Sequence, residues 1–224
     1  MLLEKVVSII ALSAVLLDGS MKTALPDKNM DGTVFLVNRQ HAISKNFVPV
    51  TRKVVGPGMS QTMREDGAAA LEEMFAAAKA DGINLAIVSG YRSYTKQNTI
   101  YSRKKASQGQ EAADRVSARP GTSEHQLGLA MDVAKKGSSQ LNTRFGTTKE
   151  GMWVSANAHR FGFIVRYLED YEDVTGYMYE PWHVRYVGVE HAEKLYECGL
   201  PMEMYMSGYK LEVYDYLIHQ VTNE

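Results

Sequence analysis

Hydrophobic positions between Gln61 and Ala80 recur every three or four residues, the spacing that places side chains on one face of a helix. The stripe is followed by Asp81 and Gly82, a helix-stopping pair. The pattern predicts an amphipathic helix whose apolar side chains pack in the core of the domain: Leu71, Met74, Phe75 and Ala78.

Short apolar runs between turn signals predict strands. Residues 83–88 form a buried strand that stops at Ser89 and Gly90, and residues 183–187 alternate and are rich in β-forming residues. Thr148 is placed to cap the helix that starts at Lys149. We expect an α+β domain with a small, mainly antiparallel sheet surrounded by helices. Further strands are predicted at 33–37, 129–133 and 163–167, and further helices at 94–108, 111–119, 149–160 and 189–198.

The two ends of the chain differ from its middle. Residues 1–20 contain a twelve-residue, mostly apolar run that is too short for an ordinary membrane span but has the length of a signal-peptide core. A signal peptide and a terminal helix are the alternatives, because Glu4 cancels Lys5 and no A-x-A site follows. We expect residues 21–60 to form an irregular segment that wraps the domain. Residues 61–206 are expected to form the main domain, and residues 207–224 a C-terminal helical extension.

Composition excludes several classes of function. A chain of 224 residues is of a suitable length for one domain. Its net charge of −1 argues against sequence-independent binding of nucleic acid. Cys198 is the only cysteine, so neither an intrachain disulfide nor a cysteine-based zinc site is available. The chain also lacks the glycine-rich nucleotide loops and the GxSxG elbow of serine hydrolases.

The candidate chemistry begins with His125 and Asp132, two good metal ligands seven residues apart. A helix would separate them by about 10 Å along its axis, and a straight strand by roughly 23 Å. Both spans are too long for two ligands that bind one zinc ion through bonds of about 2 Å. Joint ligation therefore requires a bend, which we place at Gly128 because glycine tolerates backbone angles that other residues avoid.

A second stretch, Glu180-Pro181-Trp182-His183, puts a carboxylate three residues before another histidine. Pro181 cannot donate a ladder hydrogen bond, so we expect Glu180 on a loop that enters the strand at His183. A glutamate beside a zinc ligand can serve as general base toward water at the metal. Two imidazoles and one carboxylate also leave a fourth position open, as catalytic zinc sites do. The remaining histidines are interpreted as non-ligands: His41, His159, His191 and His219.

A further candidate is Arg92, which a glycine turn places just after the buried strand that ends at Ser89. Its alternative is a surface salt bridge. The helix that follows carries Arg103, Lys104 and Lys105, which we interpret as a solvated face, with attraction of anionic polymers as the alternative. The acidic run 169–173 is interpreted as a surface loop without a catalytic role.

Three motifs together carry a family resemblance: Ser-Gly-Tyr-Arg-Ser (89–93), Pro-Gly-Thr-Ser-Glu-His-Gln-Leu-Gly-Leu-Ala-Met-Asp (120–132) and Glu-Pro-Trp-His (180–183). In this order the set resembles the VanY-like D-alanyl-D-alanine carboxypeptidases, zinc peptidases that share a fold with lysostaphin and the sonic hedgehog signalling domain. The resemblance runs from about Phe35 to about Met206, and residues 36–41 are similar to the opening of the family.

The resemblance implies one Zn²⁺ per chain, held by His125, Asp132 and His183, with Glu180 as the catalytic base. Arg92 is implied to stabilise the oxyanion or to anchor the substrate. The substrate contacts implied by the same comparison are Ser123 and Arg119 for the terminal carboxylate, Gln97 and Tyr91 in the pocket, and Trp182 either as a pocket wall or as core packing.

The function that the resemblance implies is removal of a C-terminal D-alanine from peptidoglycan stem peptides, as a D,D- or an L,D-carboxypeptidase. The alternatives are a peptidoglycan endopeptidase and a non-catalytic, zinc-containing cell-wall-binding module. We expect a location in the cell envelope or outside the cell, with the cytoplasm as the alternative. A membrane tether is expected only if residues 1–20 remain uncleaved, and the oligomeric state is left open.

Overall fold

The computed structural model describes residues 32–208. The expectations for residues 1–20 and for positions 209–224 of the C-terminal extension lie outside this range. Within it, no helix combines the length and apolar character that crossing a bilayer requires.

Six short strands and seven helical segments are separated by turns and loops in the part of the chain described. The strands are β1 (Arg52–Lys53), β2 (Thr62–Met63), β3 (Leu85–Ser89), β4 (Ala130–Lys135), β5 (Phe163–Val165) and β6 (His183–Tyr186). The helices are α1 (Glu65–Ala80), α2 (Tyr94–Gln108), α3 (Gln110–Val116), α4 (Lys149–Asn157), α5 (Glu172–Thr175) and α6 (Val189–Cys198). Tighter 3₁₀ turns span Glu124–Leu127, Thr143–Thr147 and Ala158–Phe161, and residues 202–208 are also helical.

The central sheet has four strands in the order β3-β4-β6-β5, and every neighbouring pair is antiparallel. A separate antiparallel pair joins β1 and β2. The expected fold class, α+β with a small antiparallel sheet among helices, is therefore confirmed.

The two faces of the sheet have different roles because side chains alternate along a strand. Met131 and Val133 of β4 and Val184 of β6 point to one face, where they join the main hydrophobic core with the apolar stripe of α1. Asp132 and His183, one residue out of phase, therefore point to the opposite face. Helix α1 and α4 thus cover one side of the sheet and leave the other for the site.

The irregular segment before α1 closes an edge of the sheet. Pro57 accepts a hydrogen bond from the Ile87 amide, and Ile87 accepts one from the Met59 amide, both at 2.8 Å. Gly58 lies between them with a φ of 107°, and an added Cβ would come within 2.3 Å of the Ile87 carbonyl oxygen. Only glycine fits this close approach.

The prediction of a strand at 33–37 is wrong. Residues 33 and 34 form a turn and 35–37 pair with no strand. The carbonyl oxygens of Thr33 and Phe35 instead accept hydrogen bonds from the Arg185 guanidinium, each at 2.8 Å. A buried side chain therefore satisfies backbone groups that a strand ladder would have used.

Helix boundaries differ as well. The helix predicted at 111–119 spans Gln110–Val116, because Ser117 is extended, with a φ of −159°. The helix predicted at 149–160 ends at Asn157 and continues as a 3₁₀ turn. The acidic run at 169–173 is not wholly loop, since Glu172 begins the one-turn helix α5. The expected cap of α4 is present: the Gly151 amide donates to Thr148 Oγ1 at 3.1 Å.

Candidate active site and metal centre

A sharp bend brings His125 back toward β4. His125 lies in the 3₁₀ turn Glu124–Leu127, and Gly128 follows in the left-handed region with a φ of 71°. The Gly128 amide donates to the carbonyl oxygen of His125 at 3.2 Å, which closes the turn. The chain then enters β4 and reaches Asp132. The bend is located at Gly128, where the spacing of the two side chains required it.

Strand register places the second histidine beside Asp132. In the antiparallel pair of β4 and β6, Asp132 lies directly opposite His183, and directly opposed residues have Cβ atoms about 5 Å apart. A turn just before β6 positions Glu180, since the His183 amide donates to the Glu180 carbonyl oxygen at 3.0 Å. As expected, Glu180 precedes the strand rather than belonging to it.

The three predicted ligands converge. One ligand atom from each of His125, Asp132 and His183 lies within 4.8 Å of the other two, and all three residues are buried. His125 Nε2 is 3.4 Å from one Asp132 carboxylate oxygen, and His183 Nδ1 is 3.2 Å from the other. Across residues 32–208 no other group of three His, Cys, Asp or Glu residues has this geometry. His159 and His191 lie elsewhere, and His219 is outside the range described.

The buried polar atoms of this group fit a metal ion. The Nδ1–H of His125 donates to the carbonyl oxygen of Gly90 at 2.7 Å, which leaves the Nε2 lone pair facing Asp132. His125 Nε2 and Asp132 Oδ1 are both buried without a hydrogen-bond partner. Unsatisfied buried atoms are costly, and two imidazole nitrogens with one carboxylate are a donor set that zinc accepts.

The electrostatics of the group favour a cation. Burial lowers the pKa of His125 to about 4, with Arg92 acting in the same direction, so this imidazole is neutral. Burial opposes charge on His183 as well, but the Asp132 and Glu124 carboxylates raise its pKa to about 9. The same two imidazoles hold the pKa of Asp132 below its usual range despite burial. The carboxylate is therefore ionised, as ligation requires.

Glu180 lies next to the metal-ligand group without belonging to it. Its nearer carboxylate oxygen is 3.8 Å from His183 Nδ1, and 13% of its side chain is exposed. Burial raises the pKa of Glu180 to about 7. A carboxylate with a pKa near neutrality is well suited to accept and return a proton during catalysis.

The group opens into a cavity of about 320 Å³. Of the substrate contacts predicted from sequence, four line it together with Glu180 and the three ligands: Arg92, Gln97, Ser123 and Trp182. Arg119 and Tyr91 are not among the lining residues. Both nitrogens that Arg119 uses pair with the Asp114 carboxylate, at 2.9 and 2.7 Å, and the Tyr91 amide donates to Thr62. Their predicted substrate contacts remain predictions.

Comparison with known proteins identifies this arrangement. The family model described as VanY: D-alanyl-D-alanine carboxypeptidase matches residues 60–189. The chain belongs to the VanY family. The match includes all three predicted ligands and Glu180.

Curated relatives agree with this assignment. The chain is 40% identical over 191 residues to the putative carboxypeptidase YodJ of Bacillus subtilis (strain 168), covering 82% of this chain and 70% of the relative. It is 38% identical over 186 residues to a D-alanyl-D-alanine carboxypeptidase of Enterococcus faecalis (strain ATCC 700802 / V583), covering 78% of this chain and 66% of that relative. The match therefore spans about two thirds of the length of the second relative.

Solved structures share the fold. The LdcB LD-carboxypeptidase superimposes with a TM-score of 0.73 at 41% identity, covering 77% of this chain and 84% of that one. A mutant of the vancomycin resistance D,D-pentapeptidase VanY in complex with Zn(II) gives a TM-score of 0.68 at 37% identity, covering 78% and 98%. The expected family, fold, metallopeptidase class, cell-wall carboxypeptidase function and zinc cofactor are confirmed by these comparisons.

Two polar atoms in the cavity wall of this VanY-family chain have no partner. Arg92 Nε and Gln97 Oε1 are buried without a hydrogen bond, although the Gln97 amide nitrogen donates to the Ala118 carbonyl oxygen at 2.6 Å. The Arg92 amide donates to the carbonyl oxygen of His125 at 3.1 Å, which ties this arginine to the turn that carries the ligand. Both residues therefore keep unused hydrogen-bonding capacity in the wall of the cavity.

Lys104 was missed by the sequence analysis. The interpretation of residues 103–105 as a solvated face is wrong for Lys104, which is partly buried and lines the cavity. Its Nζ donates to the Val116 carbonyl oxygen at 2.9 Å, and burial lowers its pKa. A signal was present in the spacing: Gln97, Ile100 and Lys104 share one face of α2, and all three line the cavity.

Glu124 was missed as well. Sequence reasoning passed over this residue because it precedes the ligand His125 and suggested no role of its own. It is 1% exposed, and its carboxylate contacts two buried arginines, Arg166 and Arg185, at 2.7 Å each. Its other oxygen lies 3.5 Å from His183 Nε2.

Proposed function

We propose that this VanY-family protein is a zinc-dependent carboxypeptidase that removes a C-terminal D-alanine from peptidoglycan stem peptides. The convergence of His125, Asp132 and His183 beside Glu180, at the base of one cavity, is the observation that carries the proposal. Relatives of this chain indicate the substrate class, since they include a D-alanyl-D-alanine carboxypeptidase and VanYB, which was solved in complex with D-alanine-D-alanine.

The three ligands would hold zinc through His125 Nε2, an Asp132 carboxylate oxygen and His183 Nδ1. The bound ion supplies Lewis acidity, which polarises a carbonyl and lowers the pKa of water. The hydrogen bond from His125 to Gly90 keeps its proton on Nδ1, at 2.7 Å from the acceptor, and so presents the other nitrogen to the ion. This arrangement fixes the tautomer of the ligand before any ion arrives.

Glu180 would act as the general base and then as the general acid. It takes a proton from the attacking water and returns it to the amine that leaves as free D-alanine. Two observations support this role: its carboxylate lies 3.8 Å from His183 Nδ1, and burial raises its pKa to about 7. A base of this strength can be deprotonated at neutral pH and still donate the proton later in the reaction.

The cations of the cavity would bind the substrate. The unpaired Arg92 Nε suits the oxygen on which negative charge develops during attack. We assign the terminal carboxylate to Lys104 and Ser123, which line the same cavity. Arg119 had been expected there, but its guanidinium pairs with Asp114 at 2.7 Å and does not line the cavity. Gln97 and Trp182 would complete the walls.

The decisive experiment is to incubate the zinc-loaded protein with pentapeptide and tetrapeptide stems and to weigh the products. We expect a loss of one D-alanine, and the substrate that reacts distinguishes D,D- from L,D-specificity. Release of larger fragments would favour an endopeptidase. Binding of both stems without turnover would favour a non-catalytic wall-binding module.

The substrate implies a place of action in the cell envelope or outside the cell. A tether through residues 1–20 stays a prediction, because those residues lie outside the part of the chain described.

A further inference from the structure

The two largest fully buried side chains among residues 32–208 are arginines. Arg166 and Arg185 are both 0% exposed. Arg166 Nε and Arg185 Nη1 each donate to the same carboxylate oxygen, Oε1 of Glu124, at 2.7 Å. Removing an ion from water costs several kcal/mol even after relaxation. Three buried ions next to the ligand group are therefore costly, and this cost indicates that the cluster has a specific role.

The other guanidinium nitrogens of both arginines also donate hydrogen bonds. Arg166 makes a two-pronged pair with Glu203, at 2.9 and 2.7 Å. Arg185 donates to the carbonyl oxygens of Thr33 and Phe35 and, at 3.0 Å, to that of Tyr186. With Glu203 included, the cluster contains two arginines and two glutamates, and its formal charge is zero. These contacts fix the position of the Glu124 side chain.

One carboxylate oxygen of the cluster does not pair with an arginine. Oε2 of Glu124 is buried and has no hydrogen-bond partner. It lies 3.5 Å from Nε2 of His183, a nitrogen that is also buried without a hydrogen-bond partner. The opposite ring nitrogen, Nδ1, is 3.2 Å from Asp132. His183 is thus bracketed by two carboxylates, one on the side of the ligand group and one on the side of the arginines.

We propose that Glu124 is a positioning residue for His183. It accepts the Nε2–H of that imidazole, so the proton stays on Nε2 and Nδ1 is the atom offered to the ion. Carboxylate partners of this kind orient a ligating imidazole and fix its tautomer. The proposal rests on the proposed zinc site. The two histidines would then bind the ion through different nitrogens. His183 offers Nδ1, whereas His125 offers Nε2 and donates its Nδ1–H to the Gly90 carbonyl oxygen at 2.7 Å.

The cluster extends this support beyond the part of the chain that defines the family. Thr33, Phe35 and Glu203 all lie outside the matched residues 60–189. Asn38 joins the two flanks, since its side-chain amide donates to Glu203 Oε1 at 3.2 Å. Both flanking segments therefore contribute to the orientation of a residue at the centre of the site.

Imidazole NMR on the wild-type protein tests the tautomers without any substitution. With ¹⁵N-labelled histidine and zinc bound, we expect one ligand coordinated through Nε2 with a proton on Nδ1, and one with the reverse arrangement. The reverse arrangement should belong to His183. Coordination of His183 through Nε2 would overturn the proposal.

Zinc affinity, measured by chelator competition, tests the role of Glu124. The Glu124→Gln variant should bind zinc about 10- to 100-fold more weakly, the usual effect of losing such a partner. The matched control is Glu72→Gln, which removes a carboxylate paired with another arginine, Arg52, on helix α1 at the core face of the sheet. It should bind zinc as the wild type does. Equal affinity in both variants would contradict the proposal.

Two further measurements keep the outcome clear. If Glu124→Gln does not fold, Glu124→Asp keeps the charge beside the arginines and shortens the reach to His183, and it should also bind zinc more weakly. The melting temperature of each metal-free variant separates loss of folding from loss of affinity. A wild-type protein that bound no zinc would instead contradict the proposed function.

Discussion

His125 and His183 face the same point in the site, yet their surroundings move their pKa values in opposite directions. The pKa of His125 falls to about 4 because it is buried beside Arg92. The pKa of His183 rises to about 9 because the carboxylates of Asp132 and Glu124 flank it. The chemistry of each imidazole is thus set by the groups around it. The same holds for Glu180, whose burial and neighbours distinguish it from an ordinary surface glutamate.

The assignment of Glu180 as the base leads to a direct test. Glu180→Gln should retain zinc but lower kcat by about 100- to 10,000-fold, the usual contribution of a positioned general base. Zinc content by mass analysis and release of D-alanine by chromatography are the measurements. The control is Glu169→Gln, at an exposed position, which should behave as the wild type. Undiminished hydrolysis by Glu180→Gln would remove Glu180 from the mechanism.

A second prediction at the scale of single residues concerns Lys104. Lys104→Met should raise KM for a stem peptide by about 10- to 100-fold and change kcat little, because a charge-assisted hydrogen bond to a carboxylate is worth about 1.5–3 kcal/mol. Lys105→Met is the control, since the neighbouring lysine is exposed on the same helix. If both variants show the wild-type KM, the terminal carboxylate is bound elsewhere.

At the scale of elements, short segments deliver the ligands by turn geometry and strand register. The Glu124–Leu127 turn carries His125, and Gly128 reverses the chain before β4. The pairing of β4 with β6 then sets Asp132 opposite His183. Each step places a side chain within a few ångströms of the next, so the site depends on backbone conformation as much as on side-chain identity.

Gly128 is the position at which this dependence can be tested. Its φ of 71° disfavours any side chain, and an added Cβ would lie 3.2 Å from both Pro49 and Thr51. Gly128→Ala should therefore destabilise the protein by about 1–3 kcal/mol and weaken zinc binding. Gly137→Ala is the control: its φ of 87° is also left-handed, but nothing lies within 4 Å.

Denaturant unfolding and zinc competition distinguish the two variants. Gly137→Ala should show only the backbone cost, at the lower end of that range, and keep its zinc affinity. Equal losses of stability and of affinity in both variants would mean that Gly128 has no special role in the site.

At the scale of the whole molecule, the sheet separates two environments. The core occupies one face with α1 and α4, and the ligand group and the Glu124 cluster occupy the other. Segments from both ends of the described chain meet at this cluster, through Phe35 and Glu203. Binding an ion therefore joins β4, β6 and the Glu124–Leu127 turn, and its free energy adds to the stability of the fold.

Removal of the metal should lower the stability of the entire domain. At free zinc about 1,000 times the dissociation constant, the native state gains about 4 kcal/mol, which for a domain of this size corresponds to a fall in Tm of roughly 8–16 °C on chelation. His125→Ala should melt at the same temperature with and without the chelator. The control, His159→Ala, changes a histidine outside the ligand group and should respond as the wild type. A chelator-insensitive wild type would contradict the zinc site.

The parts of the site that follow from local patterns could be predicted from the sequence. The distance argument located the bend at Gly128, and Pro181 located Glu180 on the loop before β6. Lys104 was misjudged because a lysine on a helix is ordinarily solvated, and only the packing of α2 against the site turns that face toward the cavity. The strand expected at 33–37 was wrong because Arg185, distant in sequence, takes its carbonyl oxygens.

The sequence by itself determined which side chains are available as ligands and base, where the chain must bend, and the class of fold, because these depend on residue type and on spacing within short stretches. Tertiary structure alone decided which neighbours surround them: the carboxylate of Glu124 beside His183, the pairing of Arg119 with Asp114, and the placement of Lys104 in the cavity. The physical reason is that hydrogen bonding, burial and pKa depend on distances between residues far apart in the chain, and those distances exist only once the chain has folded.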